Sequence, residues 1–311
     1  MANKEKNFIS AVVYLGEEKT CARPFLASLC ERLAARFENY ELIFVEDASR
    51  DGTEAEVREF LEGMEQLPPV TMIHMSLKQG LELAMNAGLD LAIGDFVYEF
   101  DTMKMPYPET MVDEAYDACV GGSDIVSVAP GKNRKLSSSL FYGMFNSASH
   151  SKYKLRTDVF RILSRRAINR VHGISETLVY RKAAYAASGL KLQTLVYPGK
   201  SGRENEKLRV SRAADSLALY TGIGYKMALG VSMFMLLLMV AAVVYTLVVN
   251  ITRAGGADPV AAGWTTTMLV LTGGFAGVFL LLAMVLKYLS LLVDLIFKKQ
   301  KYLVESVEKI T

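Results

Sequence analysis

Two apolar runs lie close together in the last third of the chain, at residues 229–251 and 265–286. Each is about 22 residues long, and at about 1.5 Å per helical residue each would cover the roughly 30 Å of a hydrocarbon core. The link between them, 252–264, is short and nearly neutral. The pattern predicts two transmembrane helices that form one out-and-back hairpin. A buried hairpin in a soluble domain is the alternative.

Basic residues flank this hairpin on both sides. Lys226 precedes the first run, and Lys298 and Lys299 follow the second. The positive-inside rule then predicts cytoplasmic termini, with 252–264 as an external loop and 287–311 as a cytoplasmic tail. Segment 207–228 mixes apolar and basic residues and is predicted to be an amphipathic juxtamembrane helix. A plain connector whose basic side chains reach toward anionic lipid explains it equally well.

The composition gives no sign of nucleic-acid binding or of a metal or redox site built from cysteines. The 35 basic and 33 acidic residues give a net charge of +2, which provides no global attraction to nucleic acid. Cys21, Cys30 and Cys119 match no metal or redox spacing and are predicted to remain reduced thiols. Residues 1–206 are long enough to form one domain with a sizeable core.

Apolar, strand-like segments alternate with helical patterns through residues 1–206. The predicted strands are 8–14, 41–45, 70–74, 95–100 and 124–129, and the predicted helices include 24–37 and 53–64. This alternation is typical of an α/β fold with a mainly parallel sheet. Ligands bind such sheets beyond the carboxyl ends of the strands, so the residues that follow the strands are candidates for function.

Two acidic groups stand at predicted strand ends. Glu46 and Asp47 follow the second strand, and Asp51 lies in the turn after them. These carboxylates can accept hydrogen bonds from a nucleobase or a ribose, although a solvated turn is an equally good interpretation. Asp101 ends the fourth strand, and Glu99 shares its face by the two-residue alternation. Carboxylates at this position are predicted to hold Mg²⁺ or Mn²⁺ against a diphosphate.

Motifs along most of the chain resemble those of the membrane-bound family 2 glycosyltransferases, in the group that includes dolichol-phosphate mannosyltransferase and bactoprenol glucosyltransferase. The resemblance is carried by the acidic stretch 46–53, the glycine and alanine positions of 80–95, Pro108-Glu109, the segment 160–165 and the ending 301–305. It implies a GT-A fold, a nucleotide-sugar donor (UDP by default), a polyprenyl phosphate acceptor and a bacterial inner-membrane location. A homo-oligomer or a membrane partner subunit is also expected from the resemblance.

The resemblance also suggests roles for particular side chains. The donor is expected at Glu17, Glu46, Asp47, Asp51, Lys78 and Asp101. The metal is expected at Asp101 and Glu99. Catalysis is expected to involve Asp158, Arg161 and Arg165. The lipid phosphate is expected to bind Arg156 and Arg203, because the forked donors of arginine suit phosphate oxygens.

The chain departs from the family pattern where the chemistry is expected. Met103 stands where the family's Asp-x-Asp has its second carboxylate, and a soft thioether is a poor ligand for Mg²⁺. Asp158 is displaced by one residue from the family's base position, which on an extended segment turns a side chain to the opposite face. Two hypotheses follow. The chain is either a divergent but working transferase whose Asp101 holds one metal ion, or a catalytically impaired subunit that acts as a regulatory partner in lipid-linked glycan assembly.

Overall fold

The protein is seen here as a computed structural model that describes residues 4–16, 19–132, 156–174, 180–200, 262–297 and 302–310, with isolated positions between 230 and 244. The chain divides into two compact units. The first comprises Met1–Ser216 and Lys299–Thr311, and the second comprises Leu217–Lys298. The first unit is built around one sheet of eight strands, in the order β7-β5-β6-β4-β1-β2-β3-β8.

The elements of the first unit are as follows. Its strands are β1 Ile9–Leu15, β2 Tyr40–Glu46, β3 Val70–Met75, β4 Phe96–Phe100, β5 Ile125–Lys132, β6 Phe160–Ser164, β7 Leu192–Lys200 and β8 Val304–Ile310. Its described helices are α1 Lys19–Arg36, α2 Thr53–Glu62, α3 Leu81–Leu91, α4 Thr110–Val120, α5 Arg165–Ile174 and α6 Arg181–Ala187.

The mainly parallel α/β sheet that the sequence predicts is confirmed. The five predicted strands correspond to β1 through β5, and β1 pairs in parallel with both β2 and β4. Strands β6 and β8 run antiparallel to their neighbours β4 and β3. Because β1, β2 and β4 share one direction, the residues that follow them lie at the same end of the sheet. Asp47 and Asp101 are therefore placed at one common end.

Aromatic packing fixes the position of β4. Helix α1 buries Phe25, Leu26, Leu29 and Leu33, which belong to the apolar face that the sequence predicts. The ring of Phe25 packs edge-on against Phe100 with the centroids 5.2 Å apart, and Phe100 lies 5.2 Å from the ring of Phe160 on β6. These contacts hold the last residue of β4 between a helix and a neighbouring strand. Because Asp101 is the next residue, these contacts also restrict its position.

Gly94 lies just before β4, in close contact with the backbone at the start of β1. A Cβ atom at this position would lie 2.5 Å from the Ser10 amide nitrogen and 2.9 Å from the Phe8 carbonyl oxygen. Backbone atoms in a sheet cannot move aside as the tip of a flexible side chain can.

The substitution Gly94→Ala is therefore expected to lower the free energy of unfolding by about 1–3 kcal/mol, the usual range for an overpacked site. Urea unfolding followed by far-ultraviolet circular dichroism measures this loss. Gly63→Ala is the matched control, because Gly63 has φ −83 and its added Cβ would lie 3.5 Å from the Phe60 carbonyl oxygen, an ordinary contact. Equal stability of the two variants would contradict the close approach at Gly94.

Residues 302–310 complete the sheet, although the sequence predicts only a cytoplasmic tail for 287–311. Strand β8 pairs antiparallel with β3, with Val70 opposite Ile310 and Met75 opposite Val304. Arg58 on α2 also binds Glu308 of β8 with an Nη2–Oε2 distance of 2.6 Å. Strand β8 therefore covers an edge of β3 that would otherwise expose unpaired backbone groups.

The second unit contains α7, Ala262–Phe297, which is 36 residues long. This helix begins within the predicted loop 252–264 and extends beyond the predicted second run, 265–286. Large apolar side chains along it are exposed, among them Phe275, Phe279 and Val285. Among the side chains that the structure describes, no helix has the combined length and apolar character that a bilayer crossing requires.

One contact joins the two apolar runs within this unit. A Cβ atom on Gly277 of α7 would lie 2.6 Å from Cε of Met235 in the first run. The two segments therefore approach closely at a glycine, as packed helices commonly do. Segment 207–228, predicted as an amphipathic helix, and most of 229–251 lie outside the described residues.

Candidate functional site

Carboxylates after β2 organise the turns at the end of the sheet. Asp47 accepts hydrogen bonds from the amide nitrogens of Gln79 at 2.7 Å and Gly80 at 2.8 Å, and from the Tyr14 hydroxyl at 2.9 Å. Glu46 accepts a hydrogen bond from the Ser49 amide. These contacts tie the end of β2 to the start of α3 and order the turn after the strand. Glu46 and Asp47 are both buried, which does not fit the solvated turn, and a role in base or ribose binding stays a prediction.

Asp51 orders the start of α2. Its carboxylate accepts hydrogen bonds from the amide nitrogens of Thr53 at 3.0 Å and Lys19 at 3.1 Å, and from the Thr53 hydroxyl. Partial burial disfavours its charge, but these donors stabilise the anion and lower the pKa of Asp51 below its ordinary value. The carboxylate thus fixes the loop that leads from the end of β2 into the next helix.

A second group of charged residues lies after β4 and is almost completely buried. We call it the arginine–carboxylate cluster, and its members are Glu82, Glu99, Asp101, Asp158, Arg161, Arg181 and Lys182. The sheet itself creates the central pair, because Glu99 on β4 is directly opposite Arg161 on β6 in the antiparallel register. Four carboxylates and three cations leave a formal charge of one negative unit.

Arg161 is bound by three of these carboxylates. Its Nη1 lies 2.5 Å from Glu99 Oε2, its Nη2 lies 2.6 Å from Asp101 Oδ2, and its Nε lies 2.9 Å from Asp158 Oδ2. The side chain is only 1% exposed. Every nitrogen of this guanidinium group therefore faces a carboxylate oxygen, so Arg161 is a centre of the cluster.

Arg181, the first residue of α6, makes a matching set of contacts. Its Nε lies 2.9 Å from Glu82 Oε2, its Nη1 lies 3.0 Å from Glu99 Oε1, and its Nη2 lies 2.7 Å from Asp101 Oδ1. The Tyr185 hydroxyl donates to Glu99 Oε1 at 2.5 Å. Asp101 and Glu99 each have both oxygens in contact with guanidinium groups.

The electrostatics of the cluster follow from burial and pairing. Burial opposes the charge on Asp101, but Arg161 and Arg181 hold the pKa of that carboxyl well below its usual range. Burial likewise opposes the charge on Asp158, and Arg161 and Lys182 lower its pKa. Burial disfavours charged Arg161 and Arg181 as well, yet the facing carboxylates raise the pKa of both guanidinium groups. All these groups therefore remain charged at neutral pH.

These depressed aspartate pKa values predict an acid-sensitive fold. A carboxylate with a lowered folded-state pKa adds stability above its unfolded pKa of about 4, and this stability is lost as the pH falls from there toward the folded-state value. We expect the urea midpoint to fall more steeply below about pH 4 in the wild type than in Asp101→Asn. If the urea midpoints of the two proteins fall equally steeply below about pH 4, Asp101 is not stabilised by this pairing.

The residues after β4 do not fit the divalent ion predicted at Asp101 and Glu99. Both oxygens of each carboxylate already contact arginine. Met103 is 1% exposed and brings a thioether where a second carboxylate would be needed. In the described part of the chain, ligand atoms suited to a metal meet instead at Glu46, Glu54 and His74, within 4.8 Å of one another.

Of the other predicted site residues, Asp158 belongs to the cluster, whereas Arg156 and Arg165 are not among its members. Arg156 and Asp158 line a cavity of about 20 Å³ together with Lys182 and Thr194. Arg165, by contrast, donates to the carbonyl oxygens of Ala92 at 2.8 Å and Gly94 at 2.9 Å. Because Gly94 precedes β4 and Asp101 follows it, the structure does not bring Arg165 together with the cluster.

The remaining predicted site residues are Lys78, Glu17 and Arg203. Lys78 lies exposed in the loop between β3 and α3. Glu17 and Arg203 lie outside the described residues. Their expected roles in donor and phosphate binding stay predictions.

Sequence reasoning missed Glu82, Arg181, Lys182 and Tyr185. A signal for part of the cluster was present, because Glu99 interrupts the otherwise apolar strand 96–100 and a buried acid in such a strand needs a basic partner. The sequence does not say which base supplies the partner. Arg181 comes 82 positions later in the chain and reaches Glu99 only through the packing of α6.

Comparison with known proteins places this architecture among sugar-transfer proteins. The model of Glycosyl transferase family 2 matches residues 10–172. A prophage bactoprenol glucosyl transferase homolog of Escherichia coli K12 is 24% identical over 195 residues, which cover 61% of this chain and 62% of that protein. An uncharacterized glycosyltransferase of Synechocystis is 25% identical over 194 residues, covering 60% of this chain and 59% of the relative. The chain thus spans less than two thirds of the length of either relative.

Solved structures show the same fold. A mannosyltransferase from Pyrobaculum calidifontis, in complex with GDP-Man and Mn²⁺, superimposes with a TM-score of 0.51 at 15% identity and covers 95% of this chain and 89% of its own. Glucosyl-3-phosphoglycerate synthase from Mycobacterium tuberculosis, in complex with Mn²⁺, UDP and glucosyl-3-phosphoglycerate, gives a TM-score of 0.52 at 12% identity and covers 70% of this chain and 80% of its own. At this level of identity the likeness establishes a GT-A-like fold.

Proposed function

We propose that this chain, which belongs to glycosyl transferase family 2, transfers a sugar from a nucleoside diphosphate sugar to a polyprenyl phosphate at a membrane surface. The observation that carries the proposal is the family match over 10–172. This range contains the strands β1, β2 and β4, whose carboxyl ends share one end of the sheet. Ligands of parallel sheets bind at that end. The donor nucleotide is assigned to the region of Asp47 and Asp51, with UDP as the default base.

A lipid acceptor is supported by two independent features. Relatives of this chain are named bactoprenol glucosyl transferases. The second unit has apolar side chains exposed along α7 and a close contact between Met235 and Gly277 that joins the two apolar runs. An anchored hairpin would hold the enzyme beside a lipid that stays in the bilayer, which turns a rare encounter into a local one. We assign the hairpin to the bacterial inner membrane with both termini in the cytoplasm, and self-association belongs to the same proposal.

The acceptor phosphate is assigned to the exposed side chain of Arg156, near Lys182. Cationic side chains hold phosphate oxygens through charge-assisted hydrogen bonds. The phosphate is already largely ionised near neutral pH, so its oxygen can attack the anomeric carbon without a general base. The bond from that carbon to the diphosphate breaks, and its electron pair leaves with the nucleoside diphosphate. Asp158, paired with Arg161 and Lys182, holds these cations in place and has no proton to remove.

The substitution Arg156→Glu is expected to lower the rate of transfer at least about tenfold, because a charged hydrogen bond contributes roughly 1.5–3 kcal/mol and each 1.4 kcal/mol is a factor of ten. The assay uses the purified full chain in vesicles that contain polyprenyl phosphate and follows labelled sugar into the lipid fraction. Arg170→Glu on the exposed face of α5 is the matched control and should retain the wild-type rate. Equal losses in both variants would indicate a general charge effect at the vesicle surface.

A second candidate function is a noncatalytic partner in lipid-linked glycan assembly. It is favoured by the closed state of the arginine–carboxylate cluster, since both oxygens of Asp101 are held by arginine and Met103 supplies no oxygen. The two candidates differ in turnover. Failure of the wild-type chain to transfer sugar from any donor in a panel of UDP- and GDP-sugars would reject the transferase, and a stably copurifying protein would then support the partner role.

A further inference from the structure

The buried guanidinium groups lie where the family resemblance predicts a metal ion. Asp101 Oδ2 is 2.6 Å from Arg161 Nη2, and Asp101 Oδ1 is 2.7 Å from Arg181 Nη2. A cation that approached this carboxylate would meet two positive charges in direct contact with both of its oxygens. Like charges at such distances repel strongly in a buried setting.

We propose that Arg161 and Arg181 replace a divalent cation at the end of β4, and that the chain binds a nucleoside diphosphate there without a metal ion. The inference rests on the proposed function for the identity of the ligand. It concerns a property of this chain that its family membership does not supply, namely the source of the positive charge beside Asp101.

The two arginines cannot easily leave Asp101. Arg161 is also bound by Glu99 and Asp158, and Arg181 is also bound by Glu82 and Glu99. Rotation of either side chain toward another position would take one cation away from three buried carboxylates at once, which is unfavourable. The site is therefore occupied by the protein's own cations in a fixed arrangement.

The net charge of the cluster and the ligand atoms available beside Asp101 also disfavour a bound divalent ion. With four carboxylates against three cations, the cluster is within one charge of neutrality, so it has little need of a further divalent ion. Mg²⁺ and Mn²⁺ prefer several oxygen ligands, and the buried Met103 offers none. Because the cations reduce the formal charge of the cluster from four negative units to one, a negatively charged diphosphate meets much weaker repulsion at this end of the sheet.

The first test measures Mn²⁺ alone, by electron paramagnetic resonance, on the full chain after treatment with a chelator. All proteins carry Glu54→Gln, which removes one ligand of the Glu46–Glu54–His74 group so that binding there does not obscure the result. We expect the same amount of free Mn²⁺ with Asp101 intact and with Asp101→Asn. Bound Mn²⁺ that disappears in Asp101→Asn would overturn the inference.

The second test measures the dissociation constants of UDP and GDP with and without Mn²⁺ by calorimetry. We expect the constant for the preferred nucleotide to agree within about twofold in the two conditions, whereas tightening of tenfold or more by Mn²⁺ would overturn the inference. Arg181→Met should create Mn²⁺-dependent tightening, provided circular dichroism shows that the variant is folded. If neither nucleotide binds in any condition, the donor part of the proposed function fails, and the Mn²⁺ measurement still decides the inference by itself.

Discussion

Replacement of Arg181 by methionine is expected to lower the free energy of unfolding by about 3–5 kcal/mol, the cost of breaking a buried ion pair by removing one partner. Arg181 has a fully buried side chain and contacts Glu82, Glu99 and Asp101. Methionine fills a similar volume but leaves those carboxylates with fewer cations in a buried site. Arg181→Lys should recover only part of the loss, because one ammonium group cannot reproduce the forked geometry of three contacts.

Urea unfolding followed by far-ultraviolet circular dichroism gives the measurement. Arg23→Met is the matched control, because Arg23 also pairs with two carboxylates, Glu56 and Glu59, but its side chain is 51% exposed. Exposed pairs contribute about 0–1 kcal/mol, so the control should unfold close to the wild type. Similar midpoints for Arg181→Met and Arg23→Met would contradict the buried cluster.

Removal of residues 302–311 is expected to destabilise the first unit by about 3 kcal/mol or more. Strand β8 forms six cross-strand residue pairs with β3. The backbone hydrogen bonds of such a ladder contribute about 0.5–1.5 kcal/mol each. The truncation also exposes the edge of β3, and an open strand edge promotes pairing with other chains. The truncated protein should therefore show both a lower urea midpoint and concentration-dependent aggregation.

The variant Arg58→Met distinguishes the stability that the backbone pairing of β8 contributes from the stability that its side-chain contacts contribute. This change removes the ion pair between Arg58 and Glu308 but leaves the backbone pairing with β3 intact. Because the pair is partly exposed, a loss of at most about 1 kcal/mol is expected. A truncated chain as stable and as monomeric as Arg58→Met would show that β8 is dispensable for the sheet.

The sequence predicted strands β1 to β5 and missed β6, β7 and β8. Strands β1 to β4 are apolar runs between turns, which is the pattern of strands buried on both faces, so their positions could be read directly. Strand β8 reads Val-Glu-Ser-Val-Glu-Lys-Ile and is mostly exposed, which makes it resemble a polar tail. Its assignment depends on pairing with β3, a long-range contact that local composition cannot express.

The contacts of the candidate site residues were likewise only partly predictable from the sequence. The loss of a carboxylate at Met103 was visible in the sequence, and the structure places Met103 in the hydrophobic core. Arg161 was predicted to take part in catalysis, and its guanidinium group is enclosed by Glu99, Asp101 and Asp158. Arg165 was predicted to be catalytic, yet it binds backbone carbonyls at the start of β4. Cross-strand register and helix packing decide these partners, and neither is encoded in a short motif.

The pairing of β3 with β8 has a consequence for how the chain is made. Residues 70–75 emerge from the ribosome more than 200 positions ahead of their partners at 304–310. Until translation reaches those partners, the nascent sheet keeps an open flank while the two apolar runs between them are synthesised. Nascent chains with such exposed edges are prone to misassembly, so a chaperone or prompt delivery of the apolar runs would protect the growing polypeptide during this interval.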